Sequence, residues 1–113
     1  MTGMIVCVPS RGKTVDSLMD DRFGRAAYFA FFDTNSNSVR FEENPHAGGS
    51  GGVGPKAVQY LVQNNVQILI APRLGGNAEE ALKASGISVV MQNPDVSVQA
   101  AFTAWRANVA DMA

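Results

Sequence analysis

The sequence predicts an α/β domain, a mixed five-stranded sheet flanked by helices in the order β-β-β-α-β-α-β-α. Three observations carry this. Short apolar runs at 4–8, 66–71 and 87–91 read as buried strands. The last two alternate with helix-period segments, the rhythm of parallel strand–helix units. The aromatic run Ala26–Asp33, a short polar turn and the alternating stretch Ser38–Glu43 together read as an antiparallel hairpin. At 113 residues the chain is long enough for one core and too short for two, so 1–113 is read as one domain.

The elements follow in order. Met4–Val8 is a buried strand ended by Pro9, and residues 10–24, punctuated by Gly12, Asp20-Asp21 and Gly24, form a long polar loop. Ala26–Asp33 is the second strand, and Asn35-Ser36-Asn37 turns the chain into Ser38–Glu43 (SVRFEE), an edge strand with one solvated face. Asn44–Gly54 is glycine-rich, and Pro55 opens a helix whose Ala57, Val58, Leu61 and Val62 share one face. Val66–Ala71 is a central strand. Asn77 is expected to cap the next helix, with Glu80 three residues on completing a capping box and Gly86 ending it. Ile87–Met91 is the last strand. Asp95 is expected to cap a final helix that turns Val98, Ala101, Phe102, Trp105 and Val109 toward the sheet.

Composition excludes several classes. A net charge of −1 supplies no global basic field for nucleic acid or an anionic membrane. No apolar run approaches the roughly 20 residues that span a bilayer. The first residues lack a basic region and a cleavage site, and the single Cys7 rules out an internal disulfide and an all-cysteine cluster site, so a cytoplasmic, monomeric protein is expected.

If the first, third, fourth and fifth strands run parallel and the second opposes them, the loops at 9–25, 44–55, 71–77 and 91–95 emerge at one edge. That edge gathers Arg11, Lys13, Arg22, Arg25, Lys56 and Arg73, six of the nine basic residues. It also carries three helix starts, whose N–H groups and dipoles favour anions. A near-neutral chain is thus expected to hold a locally positive, glycine-lined pocket.

Other motifs read more plainly. Gly49–Gly54 matches G-x-G-x-x-G, but the preceding strand is polar on one face and the acidic ribose ligand about 20 residues on is missing, against dinucleotide binding. Pro55 interrupts the Gly54/Lys56 pair that a phosphate P-loop requires. Cys7 reads as a core thiol and the aromatic strand as core rather than a stacking platform. His46 alone reads as a surface residue. Asp20 and Asp21 read as ion-pair partners of Arg22 and Arg25. No nucleophile–base pair or divalent-metal ligand set is evident, so the chain is not expected to be an enzyme.

Asp21-Arg22-Phe23-Gly24-Arg25 before the aromatic strand, Asn44-Pro45-His46, and the glycine loop leading to Lys56-Ala57 resemble the dinitrogenase iron-molybdenum cofactor biosynthesis family, the NifX-like domain also found at the end of NifB. Val66–Ala71 with Gly75-Gly76-Asn77-Ala78, then Glu80-Ala81-Leu82 and Gly86-Ile87, extend the resemblance over about the whole chain. It implies a ribonuclease-H-like fold and non-catalytic binding of a metal–sulfur cluster. Nitrogenase-associated members usually carry histidine before the Phe-Gly pair, where this chain has Arg22. A guanidinium cannot ligate a soft metal but can neutralise an anion. The short, arginine-bearing form looks more like the orange-protein branch of sulfate-reducing bacteria. That branch implies a non-covalently held molybdenum–copper sulfide cluster, the alternative being an iron-molybdenum-type cluster.

Under this resemblance Arg11, Arg22, Arg25 and Arg73 supply charge. Gly24, Gly51, Gly52, Gly75, Gly76 and Asn77 supply closely approaching backbone, Met19 and Phe23 an apolar wall, and His46 a candidate contact. Two other readings stay open. One is a metal-free regulatory or scaffold module meeting a partner such as a ParA-like ATPase; the other is a small-anion or nucleotide binder. Under the cluster reading a cluster-accepting protein is a candidate partner. A ribonuclease-H-type hydrolase is disfavoured, because the runs at 4–8 and 66–71 carry no carboxylate.

Overall fold

The structure, a computed structural model, describes residues 3–112, with side chains described for 3–109. Its elements are β1 (Ile5–Ser10), a 3₁₀ turn (Phe23–Arg25), β2 (Tyr28–Asp33), β3 (Ser38–Glu43), α1 (Val53–Gln63), β4 (Val66–Ala71), α2 (Gly76–Ser85), β5 (Ser88–Met91) and α3 (Val98–Met112). The sheet order is β3-β2-β1-β4-β5. β2 runs antiparallel to both β1 and β3, while β4 is parallel to β1 and to β5. The expected α/β class, element order and strand directions therefore hold. Among the described residues no helix is long and apolar enough to cross a membrane.

The apolar runs are continuous because the sheet is buried on both faces, with successive side chains going to opposite sides. Cys7, Phe29, Phe31 and Leu69 pack with Ala57, Val58 and Leu61 of α1 and with Ala78 and Leu82 of α2. Val6, Val8, Ala30, Phe32 and Ile70 alternate with them and pack on Val98, Ala101, Phe102 and Trp105 of α3. Phe102 stacks on Phe32 with ring centroids 4.1 Å apart and planes 5° from parallel. On the opposite face Arg40 of β3 lies over Phe31, 4.4 Å from its centroid, and donates to Asn64 at 3.0 Å and to Glu42 at 3.1 Å. A planar cation thus covers the part of the core near β3 that α1 leaves open.

Several expectations need correction. Pro9 lies within β1, whose ladder to β4 ends at Cys7, so beyond it the strand has one neighbour and proline is tolerated. α1 starts at Val53 with Gly52 as its cap, and Pro55 falls later in the first turn, where no N–H is needed. α2 starts at Gly76, so Asn77 is inside the helix and its capping box does not form; the Glu79 N–H already bonds the Gly75 carbonyl at 3.0 Å. Asp95 adopts φ 68°, and the hydroxyl of Ser97 caps α3 by accepting from the Ala100 N–H at 3.0 Å. Val62 and Val109 are exposed.

Two predictions concern stability. Arg40→Ala is expected to cost about 1 kcal/mol through the lost cation–π contact and the hydrogen bond to Asn64, against about 0–0.5 kcal/mol for Glu42→Ala, as read by urea unfolding. Cys7 is fully buried, and desolvation raises its thiol pKa well above the ordinary 9.0. The unfolded chain loses that proton first, so the stabilisation is complete below pH 9 and is lost as pH rises beyond it. Unfolding midpoints between pH 7 and 10 should fall less steeply for Cys7→Ala than for the parent.

Candidate functional site

The strand directions bring the ends of β1, β3, β4 and β5 to one edge, and the local sequence shapes what meets there. Asp20 is 1% exposed, its N–H bonds the Pro9 carbonyl at 2.9 Å, and its Oδ1 accepts the Arg22 N–H at 2.9 Å. The carboxylate also receives the Arg22 guanidinium at 3.3 and 3.4 Å and the Ala27 N–H at 3.4 Å. It therefore closes the turn between β1 and β2 from both ends. Within the turn Phe23 drops into the core, 5.7 Å from Phe29, which leaves Arg22 and Arg25 on the surface.

Three backbones converge beside this turn. A Cβ on Gly24 would lie 2.9 Å from the Gly54 nitrogen and 3.1 Å from the Val53 carbonyl carbon, so only glycine permits this approach. Gly54 in turn sits against Ala78, its virtual Cβ 3.1 Å from the Ala78 Cβ. The starts of α1 and α2 are thus side by side, and neither is capped by a side chain. Gly52 reaches its position with φ 64°. First-turn residues of both helices, Val53 and Gly54 of α1 and Gly76, Asn77 and Ala78 of α2, border the same space, and helix starts favour anions.

That space is an open cavity of about 530 Å³, bounded by residues 21–25, by Val53 and Gly54, and by residues 73–78. Arg22, Arg25 and Arg73, all exposed, are among its lining residues. The hydrogen bond to Asp20 raises the Arg22 pKa further, so this group stays charged at every relevant pH. Asp21 opposes them and has Arg11 at 3.8 Å. Phe23, Val53, Leu74 and Ala78 form apolar wall. Arg25 also donates to the Ala47 carbonyl at 3.2 Å, tying the glycine loop to the cavity's edge.

Arg22, Phe23, Gly24, Arg25, Arg73, Gly75, Gly76 and Asn77 are brought together as lining residues. Others among the sequence candidates are not. Met19 is 1% exposed and belongs to the α3-side core, because Met19 pairs with Ser10 and its N–H bonds Val96; it forms no wall of this cavity. Arg11 stands outside as the partner of Asp21, whereas Arg22 and Arg25 are the ion-pair partners expected from the sequence for the two aspartates. His46 lies edge-on to Tyr60 at 6.5 Å, and Gly51 and Gly52 are exposed in the loop before α1. Sequence reasoning missed Leu74, Val53 and Ala78 as wall, and Asn44, which is buried and donates to the Gly24 and Ala26 carbonyls. The Asn-Pro dipeptide was the signal available for the last. Among the described residues no group of three His, Cys, Asp or Glu could hold a metal ion.

The family profile described as dinitrogenase iron-molybdenum cofactor matches residues 4–108. The chain belongs to this family. It is similar to a Thermotoga protein assigned to NifB and to the DUF35 family, with 43% identity, 92% of this chain and 88% of the other covered, and a TM-score of 0.80. It is also similar to the apo form of the orange protein from Desulfovibrio gigas, with 29% identity, 96% and 92% coverage, and a TM-score of 0.88. No curated protein matches the chain. Membership of the dinitrogenase iron-molybdenum cofactor family points to binding of a metal–sulfur cluster.

The convergence of backbones predicts a sharp contrast between glycines. Gly24→Ala should cost about 1–3 kcal/mol, since backbone of α1 must move. Gly51→Ala, with nothing within 4 Å, should stay within about 0.5 kcal/mol of the parent in the same urea titration.

Proposed function

We propose that the chain binds and carries an anionic metal–sulfide cluster as non-covalent cargo in this cavity, without catalysis. The observation that carries the reading is a single one: three arginines and two side-by-side, uncapped helix starts surround a space with no set of protein metal ligands among the described residues. A cluster that brings its own sulfides needs no cysteine from the protein. It needs charge compensation, N–H donors aimed at sulfur and a partly dry wall in which both act strongly. Arg22, Arg25 and Arg73 would provide the first, the starts of α1 and α2 the second, and Phe23 and Leu74 the third.

The cavity has room for cargo larger than a lone oxyanion. About 530 Å³ corresponds to well over a dozen water volumes at roughly 30 Å³ each, several times what a phosphate or sulfate fills. Within the class we favour a molybdenum–copper sulfide cluster over an iron-molybdenum-type one. Support comes from Arg22 before Phe23-Gly24, a group that neutralises anions and does not ligate metal, and from the likeness to the orange protein.

The test is to mix the protein anaerobically with tetrathiomolybdate and a copper(I) salt, desalt, and record the visible spectrum with metal analysis. Molybdenum, copper and sulfide comigrating with the protein at fixed ratio is the expected result; a colourless, metal-free protein would remove the reading. Replacing Arg25 and Arg73 together by alanine should weaken retention at least about tenfold, and raising salt from about 50 to about 500 mM should weaken retention by the parent.

A further inference from the structure

We propose that Asn44 is the positioning residue of this site: it sets the turn that carries Arg22 and Arg25 against the starts of α1 and α2. The inference rests on the anion-binding reading of the cavity and concerns a residue outside its lining. Asn44 is 4% exposed, and every polar group of its side chain is used. Its amide donates to the Gly24 carbonyl at 3.1 Å and to the Ala26 carbonyl at 3.0 Å, while its Oδ1 accepts the His46 N–H at 2.9 Å. Its own N–H bonds the Ala27 carbonyl at 3.1 Å, continuing the β2–β3 ladder by one step.

This set of partners is selective. Both Gly24 and Ala26 offer acceptors, so the group between them must donate twice, and the His46 N–H requires an acceptor on the same side chain. A primary amide meets all three demands, whereas a carboxylate would face two carbonyls and a hydroxyl would have one proton for them. The geometry also reaches the cavity. Gly24 is held on one side by Asn44 and touches the backbone of Val53 and Gly54 on the other. A shift of Gly24 therefore moves the arginines relative to the helix starts, and anion affinity depends on the two acting at one point. Asn44 touches no cargo in this scheme; it acts through the turn.

Asn44→Ala, with Asn44→Ser as the milder replacement should alanine prevent folding, tests this. Amide hydrogen exchange in the cargo-free protein should quicken at least about tenfold at Arg25, Ala26 and Ala27, while β1 and β4 keep their protection. Retention of the tetrathiomolybdate–copper(I) product should fall about tenfold. On an Arg25→Ala background the same replacement should cost much less, because the two changes remove one arrangement. An equal loss with and without Arg25, or unchanged exchange in the turn, would overturn the inference. A parent protein that retains no cluster would instead overturn the proposed cargo, and the exchange data would then decide alone whether Asn44 sets the turn.

Discussion

A side chain on residue 24 or residue 54 would push apart the three segments whose contact makes the site. The turn after β1, the first turn of α1 and the first turn of α2 approach at backbone distance through Gly24, Gly54 and Ala78. This constraint explains why the two helix starts act as one feature. A single helix terminus carries about half a charge, and its effect fades within a turn. Two starts in contact, neither capped by a side chain, combine over the one cavity that both border. The sheet makes this possible, since β1 and β4 are adjacent, parallel and end at the same edge.

The charge pattern follows from the same region. The chain is nearly neutral, yet its cations at this edge differ in what they do. Arg22 is committed to Asp20, which it helps to keep as the keystone of the turn, and Arg11 stands beside Asp21. Among the described residues no ion pair involves Arg25 or Arg73, which flank the cavity from the turn and from the loop before α2. The two acidic residues of the turn are thus paired with Arg22 and Arg11, and Arg25 and Arg73 line the cavity without an acidic partner among the described residues. Arg40 shows the contrast: it serves the core of the sheet and lies among residues of β3 rather than at the site.

Much of the fold was legible because burial on both faces turns strands into unbroken apolar runs, as in Val66–Ala71 and the aromatic stretch of β2. The hairpin and the two strand–helix units suggested a mixed sheet, and the strand directions assumed for it set the edge where the loops gather. The errors share a cause. Asn77 and Asp95 are good capping types, but a cap is defined by the backbone angles of the residue before the first turn, and those were set here by Gly75 and Ser97. Val62 and Val109 fit the helical period, yet both are exposed, Val62 in a groove it shares with Ala81 and Ala84 of α2. Met19 has the character of a ligand wall or of core, and only the bridge to Ser10 decides for core. Asn44 carried a turn signal, whereas its pairing with two carbonyls some twenty residues earlier is a tertiary fact.

The position of Cys7 bears on how cargo would leave. The thiol is fully buried within the sheet, beneath α1 and α2, and its raised pKa keeps it protonated. It can therefore contribute no thiolate, and cargo would be held by arginines, peptide N–H groups and apolar contact alone. Such contacts exchange without breaking a metal–sulfur bond to the protein, and each weakens when water or salt enters the cavity. A thiolate-ligated site would gain affinity but would require ligand substitution at every transfer. For a carrier the electrostatic arrangement has the advantage that a receiver need only outcompete the charge contacts. The cluster's own sulfide framework can then pass intact.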